Sequence, residues 1–542
     1  MKKITATLFY LFFINLGFAQ VGSPLPEFKN ETDFFTDNSG KYPVAPSSQR
    51  ITLVYNPASG DDTATLQTAI NTLTNLTVMV NGENLKGGVI TIPAGTWEFN
   101  EIQLKSDVHL VFDPLAIVKP YDTVSPTDPL IPNMSIFRIG YTSVLSSNVS
   151  IRASSGQFKI DLTHLAKETR ITPFNVKEAN NFMVSDCYVD DNGTIHAALN
   201  CSASKRNNIW AGPVKGLIKN LTIINGHGGY GVVQVRTGEK LLFKDLTSLR
   251  GGVTLRLESD DVSASGGTIP QNVAKMSEIY GYNIKCTDGN AAVMLQPWSA
   301  TNGWIDVQKI EATGCMAAVR IDRAYDKVSP FVGVGSFDAS SRISDITCTY
   351  GTNAQVKQGV FPWVPCVLRT NPNILRPNPI PEMETYYLGP SIAPLLYRAS
   401  TTGGAIGNGY FSINVPTENA LKANTTGFNW SVSLVISRDN NQVNTNSCPP
   451  PLAVNTFEFK NQLKIFPNPI KSGDEFLTID LVTISDFEIT IYNLTGKLVY
   501  SSNYKAKSKI EINLSQLHLA KGTYLVNIKS EDEVMSRKVI IL

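Results

Sequence analysis

A chain of 542 residues with a formal net charge of +1 is long enough for two or three domains, or for one elongated domain with an appendage. Near-neutral charge gives no global signal for nucleic acid or an anionic membrane, and a charged content of 17% is below the usual quarter. Seven cysteines without Cys-x-x-Cys spacing argue against structural zinc and against a dithiol redox motif.

Met1-Lys2-Lys3 precede an apolar run from Leu8 to Phe18, with small residues at Gly17 and Ala19. This pattern predicts a secretory signal peptide over 1–19. It is too short for a membrane span, and no later segment holds eighteen uninterrupted apolar residues, so no transmembrane segment is expected. Residues 20–57 lack a period and read as an irregular N-terminal arm. Asp61-Asp62-Thr63 then precede Leu66 and Ile70, whose i, i+4 spacing predicts a short amphipathic helix with an acidic start. Gly87–Phe99 and Ile102–Phe112 read as short strands divided by Gly, Pro and Asp turns.

The middle of the chain repeats one short motif. Asn220-Leu221-Thr222-Ile223, Asp245-Leu246-Thr247-Ser248, Asn283-Ile284-Lys285-Cys286, Lys309-Ile310-Glu311-Ala312 and Asp345-Ile346-Thr347-Cys348 are its copies, and Asp186-Cys187-Tyr188-Val189 is an earlier turn. The anchors 221, 246, 284, 310 and 346 give steps of 25, 38, 26 and 36, which suit single coils of a solenoid, two of them with inserted loops. A β-sandwich would not place such similar tetrapeptides at coil-like spacing. Cys286, Cys315 and Cys348 read as small buried thiols in apolar strands; one or two disulfides stay open, with no pair assigned. Beyond Gly351 a Pro-rich stretch and short strands to about Val435 predict closing loops and a C-terminal cap. The coil domain is therefore 58–440, followed by a linker at 441–460 around Cys448-Pro449-Pro450-Pro451 and a Lys-rich, strand-alternating module at 461–542.

Gly251–Asp261 is the stretch with chemistry in it. Val253, Leu255 and Leu257 alternate with Thr254, Arg256 and Glu258, which predicts a half-buried strand with its polar set on the solvent face. Glu258 and Asp260 lie two residues apart, about 6.5 Å along a strand. An inverting glycosidase separates its two carboxyls by roughly 6.5–9.5 Å to admit a water.

The order Asp-Asp-Thr, helix, then Gly-Gly-strand-Pro-x-Gly-Thr resembles the opening of pectin-lyase-like right-handed parallel β-helices, where the helix caps the open end of the coil. The resemblance implies an all-β chain: a right-handed parallel β-helix with a small C-terminal β-sandwich. Gln234, Leu242–Leu246 and the Gly251–Asp260 strand resemble the active-site coils of the iota-carrageenases, glycoside hydrolase family 82, with a likeness running from about Asp61 to at least Arg323. That resemblance implies Glu258 as general acid, Asp260 as general base and Gln234 as the residue holding the water. Arg256 becomes a sulfate-binding residue, with Arg236, Arg320 and Arg323 as further substrate contacts. An Arg256–Glu258 pair would oppose protonation of the acid, so Arg256 is expected to engage substrate sulfate or Asp260 instead. Trp298 stands where that family has a histidine. It cannot transfer a proton, and its ring is expected to stack on a sugar.

Phe466-Pro467-Asn468-Pro469, Tyr492-Asn493-Leu494-Thr495-Gly496 and Lys521-Gly522-Thr523-Tyr524 resemble the C-terminal sorting domain of the Bacteroidota type IX secretion system. A small carbohydrate-binding β-sandwich is the alternative for this module. Together the resemblances imply a secreted or cell-surface endo-acting glycoside hydrolase that inverts at a β-1,4 linkage of a sulfated algal galactan, iota-carrageenan first. The implied partners are that polysaccharide and the outer-membrane type IX machinery, with no nucleic acid and a monomeric state. No cofactor is required, and structural Ca²⁺ or other ions remain allowed. The alternatives are another β-helix polysaccharide-degrading enzyme, polygalacturonase-like or a lyase, and a non-catalytic glycan-binding adhesin. Gly226-His227-Gly228 and Asp260-Asp261 echo the polygalacturonases in the wrong order, so His227 reads as a turn or groove-edge residue. Asp190-Asp191-Asn192-Gly193 lacks a full calcium-loop ligand set and reads as a turn.

Overall fold

The computed structural model describes residues 29–44, 47–58, 60–121, 134–141, 144–259, 269–324, 335–365, 368, 375–377, 386–401, 409–429, 433–437, 463–471, 474–517, 519–530 and 534–542. The expected signal peptide at 1–19 and the expected linker at 441–460 lie outside them.

The repeated tetrapeptides stack in register. Cys187 lies beside Leu221, Leu221 beside Leu246, Leu246 beside Ile284, Ile284 beside Ile310 and Ile310 beside Ile346, all in parallel strands. The residue before each anchor is left-handed: Asp186 at φ 60°, Asn220 at 50°, Asp245 at 55°, Asn283 at 57°, Lys309 at 54° and Asp345 at 54°. Asn and Asp tolerate that conformation best among residues with a side chain, so the motif opens on the residue that bends the strand. The bends also bond to one another, with Asn220 Nδ2 donating to Asp186 Oδ1 at 2.8 Å and Asn283 Nδ2 to Asp245 Oδ1 at 2.5 Å.

Each pass of the chain adds one strand to a sheet of long, bent strands and one to a sheet of short strands, which is a parallel β-helix. The short-strand sheet runs, in spatial order, Ile102–Leu104, Met134–Ile139, Ile171–Val176, Leu199–Cys201, Gly231–Val235, Val253–Glu258, Ala291–Gln296, Ala317–Ile321, Ala393–Tyr397 and Val435–Ser437. The two long steps of the repeat carry their extra residues between Glu258 and Met276 and between Ile321 and Arg342. Both insertions therefore leave the same end of the short strands.

Inside the coil the apolar positions stack rung on rung. Phe112 lies on Phe158 at 4.3 Å between ring centroids, and Phe137 on Phe174 at 5.5 Å. The helix Thr63–Asn75 closes the first coil with Leu66, Ile70 and Leu73, all fully buried, each contributing about 1.5–3 kcal/mol by removal from water. Its acidic start is used in two ways. Asp61 Oδ1 accepts the Thr63 N–H at 2.9 Å, while Asp62 Oδ2 accepts the Glu98 N–H at 3.1 Å and ties the helix to the coil.

The N-terminal arm crosses the outer face of the long strands. Phe34 and Phe35 pack on Met183, Leu217 and Leu242. Glu31 bridges Lys219 and Lys244 at 2.6 and 2.8 Å, and Asp37 meets Arg152 at 2.6 Å. At its end Arg50–Thr52 adds a parallel strand beside Gly88–Ile92. Cys286 and Cys315, read from sequence as separate buried thiols, are joined in a disulfide, while Cys348 is a free buried thiol. Cys286 and Cys315 lie on consecutive coils of the repeat, anchored at Ile284 and Ile310.

Residues 463–542 form antiparallel strands around a core of their own, a small β-sandwich. The long strand Phe476–Asn493 shifts register between Asp480 and Phe487. Its first part pairs with Leu463–Phe466 and its second with Gly522–Ser530. The motif residues make the turns and clamps. Asn493 Oδ1 accepts the N–H groups of Thr495 and Lys497, and Asn468 brackets the last strand through Lys538 O and the Ile540 N–H.

Candidate active site

Gly251-Gly252 is a corner between the two sheets. Gly252 has φ 47°, and a Cβ there would lie 1.3 Å from the Tyr230 carbonyl oxygen, so no other residue fits. Its N–H donates to Gln355 Oε1 at 2.8 Å. The strand Val253–Glu258 leaves this corner between Gly231–Val235 and Ala291–Gln296. Leu255 and Leu257 enter the core as the alternation predicts. The corner breaks the pattern before them: Val253 packs in a small cluster with Ala291 and Met294, while Thr254 is fully buried and donates to the Lys285 carbonyl at 2.7 Å.

Arg256 and Glu258 face the same way, but the face is not a solvated one. Glu258 is only 2% exposed and every oxygen has a donor. Gln234 Nε2 donates to Oε2 at 2.9 Å, Arg256 Nε donates to Oε2 at 2.5 Å, and Trp298 Nε1 donates to Oε1 at 2.9 Å. Arg256 also donates to the Gly229 carbonyl and lies over the Tyr230 ring at 5.1 Å. Tyr230 is packed in turn by His196 and His227, at 5.4 and 5.2 Å between centroids.

Burial alone would raise the Glu258 carboxyl. Arg256, the Trp298 N–H and Arg236 together outweigh it and hold the group at about 2. The two histidines are neutral: burial, helped by Arg236 near His196 and Arg256 near His227, lowers them to about 4 and about 3.

Three sequence expectations change here. Arg256, expected to avoid Glu258, is its ion-pair partner, because both side chains point outward from alternate positions of one strand. Trp298, expected as an open stacking surface, is 4% exposed and spends its N–H on Glu258, as a buried indole must find an acceptor. Arg320, expected to touch substrate, is buried in the wall, with Nε 3.0 Å from Asp322 Oδ2 and Nη1 2.6 Å from Asn290 Oδ1. Gln234 reaches Glu258 as described. Arg236 and Arg323 are half-buried on flanking coils. Asp260 and Asp261 lie outside the described residues. His227 is a turn residue, its Nδ1 accepting the Gly229 N–H at 2.9 Å. Asp191 likewise builds a turn, its Oδ1 accepting the N–H groups of Asn192 and Thr194 at 2.7 and 3.2 Å. Among the described residues no group of three or more His, Cys, Asp or Glu side chains is arranged to hold a metal ion.

Sequence reasoning missed a second charged group on the same sheet face. Glu258 lies beside Gln296; Asp322 follows Ile321, which lies beside Leu295; and Arg398 follows Tyr397, which lies beside Ile321. Arg398 Nη1 reaches Asp322 Oδ1 at 3.1 Å. Burial would raise the Asp322 carboxyl, but Arg320, Arg398 and Lys357 hold it below the usual range. No local motif marks Arg398 or Lys357: the parallel register brings Arg398 to this face, and Lys357 comes from a separate antiparallel sheet that holds Ala354–Lys357.

An iota-carrageenase of Zobellia galactanivorans is 27% identical over 415 residues, spanning 66% of this chain and 78% of that protein. An iota-carrageenase of Alteromonas macleodii is 28% identical over 331 residues, spanning 60% of this chain and 62% of that protein, less than two thirds of its length. The chain is a relative of the iota-carrageenases. The β-helix of an iota-carrageenase solved with iota-carrageenan fragments matches with a TM-score of 0.62 at 23% identity, over 76% of this chain and 94% of that one. The family 82 iota-carrageenase from A. fortis matches with a TM-score of 0.61 at 23% identity, over 76% and 93%. Residues 464–542 match the model of a secretion system C-terminal sorting domain. This iota-carrageenase relative therefore carries a type IX sorting tail, which places it among secreted or cell-surface proteins.

Proposed function

We propose that the chain is an endo-acting glycoside hydrolase that cleaves β-1,4 linkages of a sulfated galactan, iota-carrageenan first, with inversion. The observation that carries the reading is the buried Glu258 carboxyl, held by Gln234, Arg256 and Trp298 on the strand that resembles the active-site strand of the iota-carrageenases. Glu258 protonates the leaving glycosidic oxygen. Asp260 takes a proton from the water that attacks the anomeric carbon from the opposite face. The Gln234 amide orients Glu258 and the attacking water.

A general acid must carry its proton, and Arg256 holds the Glu258 carboxyl low. A sulfate ester is a better-placed partner for a guanidinium than a carboxylate that must act as an acid. When the substrate draws Arg256 away, the burial of Glu258 dominates and its pKa rises. The acid is thus loaded by the anionic substrate itself. One chain suffices for this chemistry, and no cofactor enters it.

The test is hydrolysis of iota-carrageenan by purified protein, with the anomer of the new reducing end read by NMR. Glu258→Gln and Asp260→Asn should each abolish cleavage. Full activity in both variants would sink the site assignment. An unsaturated product would instead indicate a lyase, and binding without any fall in polymer viscosity an adhesin.

A further inference from the structure

Beyond Glu258, toward the C-terminal end of the coil, cations outnumber carboxylates. Asp322 is answered twice, by Arg320 at 3.0 Å and Arg398 at 3.1 Å. Lys357 ends the strand Ala354–Lys357, which belongs to a separate three-stranded sheet packed at this level of the coil. Lys357 is exposed, and its ammonium makes no side-chain hydrogen bond or ion pair among the described residues. Partial desolvation together with Arg320 and Arg256 pushes that ammonium below its ordinary range, and Asp322 and Glu258 also act on it. So Lys357 lies within electrostatic reach of both carboxylates yet is bonded to neither. Three cations share one carboxylate, and a charge excess of this kind in a partly desolvated cleft attracts an anion.

An aromatic ring completes the cluster. Trp363 closes the short 3-10 turn Gln358–Trp363 that follows Lys357 directly, and the Arg398 guanidinium lies 5.7 Å from its ring centroid. Trp363 is half-buried, so part of its ring remains open. An aromatic face beside cationic donors fits a pyranose ring bearing a sulfate ester: the ring stacks and the donors take the sulfate oxygens. Asp322 and Arg398 stand two and three strand spacings from Glu258, about 10 and 14 Å along the sheet. A sugar held there belongs to the same polymer as the one cleaved, but to a different residue of it.

We propose that Lys357, Arg398 and Trp363 form a subsite for a sulfated sugar on the C-terminal side of the catalytic strand. The subsite rests on the proposed hydrolysis of a sulfated galactan and names where part of that polymer is gripped. It holds substrate on the rim and takes no part in proton transfer.

The experiment uses the full chain carrying Glu258→Gln, so that ligand is bound and not cut. Affinity for an iota-carrageenan oligosaccharide and for its chemically desulfated counterpart is measured by calorimetry. Adding Lys357→Gln should weaken the sulfated ligand about tenfold, as loss of one charge-assisted contact does, and flatten the salt dependence of binding. Trp363→Ala should weaken both ligands by at least that much. Both substituted side chains are partly exposed, and thermal melts check that each variant is folded. Unchanged affinity for the sulfated ligand in either folded variant overturns the subsite. If the Glu258→Gln protein with Lys357 and Trp363 intact binds no sulfated galactan, the proposed function itself falls; if it binds and only the two variants behave like their parent, the function stands and the subsite alone is lost.

Discussion

The indole N–H of Trp298 donates to Oε1 of Glu258 at 2.9 Å, from a residue whose backbone is left-handed at φ 47°. That conformation turns the ring into the wall beneath the carboxylate instead of across the cleft. Oε2 is held by Gln234 and Arg256, so among the described residues Trp298 alone fixes the other oxygen. The indole donor has no titration in the working range, so the strength of this bond varies only with the charge on Glu258.

Trp298→Phe keeps the aromatic ring and removes only the donor. A hydrogen bond to a buried charged group contributes about 1.5–3 kcal/mol, so kcat should fall roughly ten- to a hundredfold with little change in KM. Steady-state kinetics on iota-carrageenan separate the outcomes. A variant with normal kcat and a raised KM would return Trp298 to the role of a stacking surface.

Arg256→Gln removes the charge that holds Glu258 at about 2. Burial then dominates, and the Glu258 pKa moves up. Since the acid acts only when protonated, the falling, high-pH limb of kcat/KM that reports the free enzyme should move to higher pH in the variant. KM for the sulfated polymer should rise at the same time, because the guanidinium is also the proposed sulfate partner. A limb that stays in place would show that Arg256 does not set the charge of Glu258.

Asp191 gives a stability prediction away from the cleft. Burial raises its carboxyl to about 7 against an ordinary 3.8, despite the Asn192 and Thr194 N–H donors. The unfolded chain therefore loses this proton near pH 4 and the folded chain near pH 7. Between these values the folded state holds more protons, so its stability falls as pH rises, by about 1.4 kcal/mol per unit at most. Asp191→Asn keeps an acceptor for both N–H groups and has no such slope. It should melt higher than the parent at pH 8 and close to it at pH 4. Parallel melting curves across that range would mean Asp191 ionises normally in the fold.

Phe35→Ala tests the arm. Phe35 is 5% exposed against the outer face of the long strands, and truncating a buried phenylalanine costs about 3–5 kcal/mol. The midpoint of denaturant unfolding of the β-helix should drop accordingly. Loss of the arm's signal alone, with the coils unfolding at the parental midpoint, would show that the arm is ornamental.

The coil was legible because its bends need a particular residue type. Asn220, Asp245, Asn283 and Asp345 announce the left-handed corner before each anchor, and the anchors Leu221, Leu246, Ile284 and Ile346 then fall into register. The strand with Glu258 was legible from the alternation of Leu255 and Leu257 with Arg256 and Glu258. What failed to show was direction. Strict alternation places Val253 inward and Thr254 outward, but the corner two residues earlier rotates both. A single tryptophan after a proline gives no sign that its backbone will be left-handed, so the ring of Trp298 could not be aimed from sequence. Lys357 and Arg398 sit in text without periodicity, and only the stacking of Tyr397 on Ile321 brings Arg398 to Asp322.

The arm also changes how such a molecule can come apart. A solenoid is stabilised by each coil's contact with its neighbours, so in principle one coil can fray while the rest persist. Here Glu31 holds Lys219 and Lys244, 188 and 213 residues further along the chain, while Asp37 holds Arg152. Opening a coil in that span also means breaking its contacts with the arm. The partly open states that proteases outside a cell would cut are thereby made rarer, and the strapped coils lean on one another through the arm.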